Sequence, residues 1–100
     1  MLNGRQRAQL RALANPIDTI VQIGKGGVTD NVTAQVAEAL TARELIKGRV
    51  LEASSLTAQE AADTLAERCR AETVTTIGSR FVLYRENRET DKDKRIKLVK

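Results

Sequence analysis

Four residues, Gly24-Lys25-Gly26-Gly27, constrain this chain more than any other stretch, because they form a G-x-x-G turn between two regular elements. The residues from Ile17 to Ile23 are mostly apolar and predict a strand, and a helical spacing of apolar residues begins at Val28. Glycines let a backbone approach a ligand closely, and the N–H groups at a helix start attract anions. With Lys25 at its tip, the turn predicts a phosphate clamp, and RNA is the expected source of the phosphates.

A chain of 100 residues makes one small domain with a modest core and little room for a deep catalytic cavity. Apolar residues make up 41% of it and only Phe81 and Tyr84 are aromatic, so the core must consist mainly of Leu, Ile and Val. The longest uncharged apolar stretch is far shorter than the ~20 residues of a membrane span, and no apolar leader is present. These features predict a cytoplasmic protein that has no membrane partner.

Hydrophobic spacing and capping residues predict the element order αβαβαββ. Helices are predicted at about 3–13, 30–42 and 57–71, and strands at 18–23, 44–51, 73–77 and 80–85. Asn3, Thr29 or Asp30, and Thr57 are the predicted helix caps. The two strand–helix–strand units predict right-handed crossovers with parallel pairing, and the last two strands predict an antiparallel hairpin at Gly78-Ser79.

The expected fold is therefore α/β with the character of an α+β sandwich, in which a four-stranded mixed sheet packs against helices. The predicted domain covers residues 1–85. Residues 86–100 are predicted to be a charged, mobile tail, with a short extended piece around Ile96 and Leu98. The order of the strands within the sheet is not determined by the sequence.

Most of the net charge of +4 lies in residues 85–100. Residues 1–84 carry ten Lys/Arg against nine Asp/Glu, whereas residues 85–100 carry seven against four. An almost neutral body can still bind a polyanion if its cations gather on one surface. Two interpretations of the tail stay open, a basic arm on RNA and a solubilising terminus.

Four segments of the chain, in this order and spacing, resemble the CRM domain, the chloroplast RNA splicing and ribosome maturation module, in its stand-alone bacterial YhbY-like form. They are LRALA at 10–14, VQIGKGGVT at 21–29, ARELIK at 42–47, and IG at 77–78 followed by VLYR at 82–85. The resemblance spans roughly residues 3 to 98. The chain departs from the family pattern at Asn15, where a histidine is expected, and at Gly48, where a valine or another β-former is usual.

The resemblance implies an RNA-binding domain whose fold is similar to the C-terminal domain of the third translation initiation factor, with a glycine loop likened to that of KH domains. Bacterial members of the family are associated with precursors of the large ribosomal subunit, and organellar relatives act in group II intron splicing. A lone copy in a short chain favours large-subunit rRNA precursor or a pre-ribosomal particle as the partner. A splicing-type cofactor and a protein–protein adaptor on pre-ribosomal particles are the alternatives.

The predicted RNA-binding residues are the glycine loop and the cations that could extend its surface. They are Gly24, Lys25, Gly26, Gly27, Lys47, Arg49, Arg85, Arg7 and Arg11. For each cation, an ordinary solvated side chain is the alternative. Strand alternation places Lys47 and Arg49 on one face. Arg80 and Arg85 have opposite parity, so the two are not expected to face the same ligand, and Arg85 ranks higher.

The scarcity of aromatic residues predicts how the RNA is recognised. Proteins that bind single strands depend on bases stacking on aromatic rings, and this chain offers few rings. Phe81 and Tyr84 lie in an apolar strand and are predicted to be core. The sequence therefore predicts recognition of folded RNA through its backbone and shape.

Catalysis is not predicted. The chain has no histidine and one cysteine, which excludes His-based triads, His-ligated and Cys-rich zinc sites and an intramolecular disulfide. It also lacks both nucleotide-binding glycine fingerprints. Glu60, Asp63 and Glu67 predict a solvated acidic helix face, and Cys69 predicts buried packing. No catalytic residue, metal, cofactor or small-molecule substrate is expected.

Overall fold

The computed structural model of the chain describes residues 2–87 and 96–99. It contains three helices and four strands in the predicted order: α1 (Gly4–Ala14), β1 (Thr19–Ile23), α2 (Asp30–Arg43), β2 (Leu45–Val50), α3 (Ala58–Cys69), β3 (Glu72–Ile77) and β4 (Arg80–Tyr84). Asn3 and Thr57 form capping boxes, and the Thr29 hydroxyl accepts the N–H of Val32. These caps satisfy N–H groups that a helix start would otherwise leave free.

The strands lie in the order β1-β2-β4-β3. β1 pairs with β2 in parallel, as predicted, and β4 is antiparallel to β3 across the turn at Gly78-Ser79. The prediction of parallel pairing is wrong for the second unit, because β4 is inserted between β2 and β3. The burial of β4 explains this position. Phe81, Val82, Leu83 and Tyr84 are all buried, and a strand that is apolar on both faces belongs at the centre of a sheet covered on both sides.

Each face of the sheet has its own core cluster. The larger cluster packs α2 and α3 on one face and includes Val21, Ile23, Leu40, Ile46, Leu65 and Phe81. The smaller one packs α1 on the other face and includes Leu2, Leu10, Leu45, Val82 and Tyr84. The sheet is therefore a layer between α1 and the other two helices.

The helical spacing of Leu2, Gln6, Leu10 and Leu13 predicts the inner face of α1, and the observed contact stripe differs from this prediction by one residue. Leu13, which is predicted on the apolar face, is 43% exposed, whereas Ala14 is buried. The buried stripe of α1 therefore runs from Leu10 to Ala14, four positions later.

The structure explains why position 48 is a glycine, which the sequence alone does not. It pairs with Phe81 across β2 and β4, and the aromatic ring lies directly over its backbone. A Cβ atom at position 48 would lie 2.8 Å from Cε1 of Phe81 and closer still to Cε2 and Cζ. The glycine thus leaves the space that the ring occupies in the core.

Glu44 is a buried acidic residue, 3% exposed, at the junction of α2 and β2. Its φ of +63° is uncommon for a residue other than glycine. Its carboxylate accepts hydrogen bonds from the N–H groups of Asn87 at 2.7 Å and Ile96 at 2.9 Å. The side chain therefore anchors two points of the C-terminal part of the chain.

Residues 96–99, where the sequence predicts a short extended piece within the tail, lie against α1. The side chain of Gln9 accepts the N–H of Val99 at 2.8 Å and donates to the carbonyl of Lys97 at 2.7 Å. Ile96 and Leu98 pack against the smaller core cluster. The rest of the predicted tail beyond Asn87, at 88–95 and 100, lies outside the described residues.

Replacing Gly48 tests the packing on Phe81. We expect Gly48→Ala to lower the free energy of unfolding by about 1–3 kcal/mol, because the new methyl group overpacks the core. In a Phe81→Leu background the same change should cost less than roughly 0.5 kcal/mol, because the ring is gone and the two effects are coupled. Denaturant unfolding of the four proteins measures both values. Equal costs in the two backgrounds would contradict the proposed contact.

Candidate nucleic-acid interface

The glycine loop lies at the end of the sheet where β1 and β2 finish. The N–H of Gly27 donates to the carbonyl of Gly24 at 3.0 Å, and the N–H of Thr29 donates to the carbonyl of Gly27 at 3.1 Å. Lys25 and Gly26 are exposed at the tip. The loop is thus a tight turn that leads directly to Thr29, the cap of α2.

The fold requires glycine at only one of the three glycine positions in this loop. Gly27 has a φ of +71°, a conformation that other residues rarely adopt. At Gly24 an added Cβ would meet nothing within 4 Å, and at Gly26 it would touch only Cγ2 of Thr29, at 3.4 Å. The fold therefore does not explain Gly24 and Gly26, whereas close approach of a ligand to the backbone would.

The exit of the loop is held by α3. The guanidinium of Arg68 donates to the carbonyl of Val28 at 3.2 Å, and Leu56, just before α3, lies beside Gly27. Arg68 could not be predicted from the sequence, because a contact between residues 40 positions apart leaves no local pattern. The loop thus rests on a fixed support.

A row of cations lies near the same end, on the face of the sheet that carries α1. Lys47 and Arg49 share this face, as predicted, and Arg49 pairs directly with Arg80 of β4. Arg11 of α1 borders the row. The ammonium group of Lys47 donates to the carbonyl of Asn15 at 3.3 Å. The structure therefore brings together three predicted cations and adds Arg80, which ranked below Arg85.

Arg49 and Arg80 are like charges placed opposite each other. Both are exposed, and residues opposite each other on antiparallel strands have Cβ atoms about 4.5–5.5 Å apart. In the described part of the chain, neither forms an ion pair or a side-chain hydrogen bond. Like charges in this position destabilise a sheet, and an anion bound between them would remove that cost.

Arg85 lies elsewhere, and its donors are occupied. Its guanidinium donates to the carbonyls of Cys69 and Ala37, both at 2.9 Å, and to the hydroxyl of Thr41 at 2.6 Å. It therefore joins the last turns of α2 and α3, on the opposite side of the sheet from Arg80, in agreement with the opposite parity of the two residues. These contacts give Arg85 a structural role, and Arg80 takes its place among the candidate RNA contacts.

Arg7 is also separated from the candidate interface. Its guanidinium donates to the carbonyls of Thr73 at 2.6 Å and Val74 at 3.4 Å, so it fastens α1 to the edge strand β3. Arg11, one turn later, is exposed. Arg7 and Arg11, which are four residues apart in the sequence, therefore differ in the structure: Arg7 is bound to β3 and Arg11 is exposed.

The loop and the cation row are close enough to contact one nucleic acid. Gln22 of β1 pairs with Arg49, and Gly24 follows two residues later. Since neighbouring strands lie about 4.8 Å apart, β4 with Arg80 is roughly 10 Å from β1. The loop continues into α2 on the opposite face, so a ligand that touches both must cross the end of the sheet.

The described residues carry little that points to other chemistry. They include no group of three or more His, Cys, Asp or Glu side chains that could hold a metal, and no helix there is long and apolar enough to cross a membrane. Cys69 is buried, as predicted, and burial raises the pKa of its thiol. A protonated thiol is a poor nucleophile.

Comparisons with known proteins agree with this picture. A Bacillus subtilis protein named Probable RNA-binding protein YqeI is 46% identical over 89 residues, which cover 89% of this chain and 93% of that protein. A Haemophilus influenzae protein named RNA-binding protein is 35% identical over 88 residues, which cover 88% of this chain and 89% of that protein. The solution structure of the Staphylococcus aureus protein SAV1595 matches with a TM-score of 0.80 and 45% identity, over 99% of this chain and all of that one.

The names of these relatives refer to RNA binding and to no catalysed reaction. The match to the family model covers residues 2–85, which include all seven regular elements and the glycine loop. The chain therefore belongs to the CRS1/YhbY (CRM) domain family.

Proposed function

We propose that this protein binds structured RNA, with the loop from Gly24 to Gly27 against the sugar-phosphate backbone and with Lys47, Arg49 and Arg80 on further phosphates. One observation carries the proposal: two glycines flank Lys25 although the fold has no need of them. The names of the relatives support RNA as the ligand.

Helix dipoles add to the charge at this end of the sheet. α2 begins beside the loop and α3 begins just after Leu56, which borders Gly27. The positive ends of both dipoles therefore lie near the loop, where they favour an anion. The first turns also hold Asp30 and Glu60, and their negative charges offset part of this attraction.

The cellular role that we propose follows from the family resemblance. The partner is a large-subunit rRNA precursor or a pre-ribosomal particle in the cytoplasm, and the protein assists assembly without catalysis. An adaptor that contacts only proteins on such a particle would have no use for the bare backbone at Gly24 and Gly26. RNA binding by the purified protein separates the two roles.

Variants of the loop test the clamp. We expect Gly24→Ala and Lys25→Ala each to weaken binding of a structured RNA by roughly tenfold, the effect of losing a charge-assisted contact. Neither should lower the free energy of unfolding, because position 24 has room for a methyl group and Lys25 is exposed. Fluorescence anisotropy with a labelled rRNA fragment measures affinity, and denaturant unfolding measures stability.

Two variants serve as matched controls for the loop. Gly4→Ala also adds a methyl group in open space, and Arg5→Ala also removes an exposed cation. Both lie at the start of α1, where the N–H of Leu2 donates to Glu72 at the opposite end of the sheet. If the loop variants bind RNA as well as these controls do, the clamp is wrong and the adaptor role is favoured.

The salt dependence of binding tests the number of phosphate contacts. Four contacts on a single-stranded segment predict a slope of about −3 for log affinity against log salt, and the Arg49→Gln, Arg80→Gln double variant should make the slope shallower by about 1.4. A salt titration of the anisotropy assay gives both slopes. An unchanged slope in the double variant would place the phosphates elsewhere.

The repulsion between Arg49 and Arg80 predicts an effect on the stability of the protein. We expect Arg80→Gln to raise the free energy of unfolding by a few tenths of a kcal/mol at low salt, because it removes a repulsion of roughly 0.2–1 kcal/mol. The gain should shrink at high salt as the charges are screened. Urea unfolding at two salt concentrations measures it, with Arg5→Gln as the control. A loss of stability would show that Arg80 has a structural partner.

A further inference from the structure

A cavity of about 260 Å³ lies between the end of α1 and the sheet, next to the cation row. Its lining has two parts. Ala14, Ile77 and Val82 form an apolar floor, and Arg11, Lys47 and Arg80 form a cationic rim. A ligand that fits both parts has a flat apolar portion and a negative charge at its edge.

The rim is purely cationic. None of the residues that line this cavity is acidic, whereas Glu72 and Glu86 line the cavity beside Arg70 and Arg85. Positive charge without local compensation concentrates anions in a cleft. The occupant is therefore anionic, and phosphate is the anion that arginine forks bind well.

The apolar floor indicates that the ligand carries an apolar group in addition to a phosphate. Ile77 is 70% exposed, the highest exposure among the large apolar side chains in the described part of the chain. It pairs with Arg80, so an exposed apolar surface and a guanidinium lie side by side. Unstacked bases lie against apolar side chains and against guanidinium planes in the proteins that hold them.

Polar groups within reach could read a base edge. The hydroxyl of Thr75 and the side-chain amide of Asn15 line the cavity, and within the described residues neither has a hydrogen-bond partner. The hydroxyl and the amide can each donate and accept. The neighbouring hydroxyls of Thr73 and Thr76, in contrast, donate to Asp63 and Gln59 of α3.

We propose that this cavity holds one unstacked nucleotide of the bound RNA, such as a bulged residue beside a helix. The base lies on Ile77 and Val82, and its phosphate lies at the rim. The volume is below the range of about 300–1,000 Å³ of drug-sized pockets, which suits a single base. The inference rests on the proposed RNA binding and refines it, since the small number of aromatic residues by itself predicts recognition by backbone and shape alone.

Three hairpins that differ at one position test the proposal: one with a bulged nucleotide, one with an abasic site at the bulge, and one fully paired. We expect the protein to bind the bulged hairpin roughly tenfold more tightly than the other two, a modest value for holding one base. Equal affinity for all three hairpins would overturn the proposal. The loop variant Lys25→Ala should weaken all three equally, so failure of the clamp and failure of the cavity give different results.

Two pairs of variants test whether the preference for the bulged hairpin comes from this cavity. Ile77→Glu should abolish the preference for the bulge, and Leu13→Glu, which also changes an exposed apolar residue but lies outside the cavity, should keep it. Arg11→Gln should reduce the preference, and Arg5→Gln on the same helix should not. Circular dichroism checks folding. A preference that survives in a folded Ile77→Glu or Arg11→Gln protein would exclude this cavity.

Binding of a nucleoside 5′-monophosphate tests whether the ligand of the cavity is a nucleotide within RNA or a free nucleotide. We expect it to shift the methyl signals of Ile77 and Val82 only at millimolar concentration, because RNA contacts elsewhere supply most of the affinity. Micromolar binding of the monophosphate without a preference for the bulged hairpin would show that the ligand is a free nucleotide and would overturn the proposal.

Discussion

The packing of the Phe81 ring on the bare backbone of Gly48 sets the register of β2 against β4, and the candidate interface depends on that register. A slip of one residue would send every side chain of a strand to the other face. Arg49 and Arg80 would then no longer lie opposite each other, and Lys47 would leave the rim of the cavity if β2 were the strand displaced. A contact in the core thus positions the cations on the surface, and the departure from the family pattern at position 48 has a structural cause.

Five arginines of the described residues divide into two groups according to whether backbone carbonyls satisfy their donors. Arg7, Arg68 and Arg85 donate to backbone carbonyls and hold elements together. Arg49 and Arg80 have no such partners in the described residues and lie on one face with Lys47. A nearly neutral body can therefore present a cationic surface, because Lys47, Arg49 and Arg80 lie together on one face near one end of the sheet.

The sequence predicted the element order, the caps and the faces of β2, because these depend on local spacing and on side chains near the helix starts. It did not predict that β4 lies between β2 and β3, since strand order depends on burial that only the assembled layers define. The glycine loop was evident from a short motif. The roles of Arg85 and Arg80 were not, because hydrogen bonds to carbonyls such as that of Ala37, far along the chain, leave no sequence pattern. The cavity under α1 depends on three segments and was invisible for the same reason.

The packing partners of α1 are β2, β3, β4 and residues 96–99, all of which come later in the chain. During synthesis, α1 is made before all of these partners, and its docking surface is incomplete until β4 is made. Isolated helices of this length are marginal in water, so α1 should stay largely unformed while β1, α2, β2 and α3 begin to assemble. The contacts that close the smaller core are then the ones with the greatest sequence separation, which are expected to form slowly. The larger core can therefore begin to assemble from β1, α2, β2 and α3 before β4 is made, whereas the smaller core cannot form until β4 is in place.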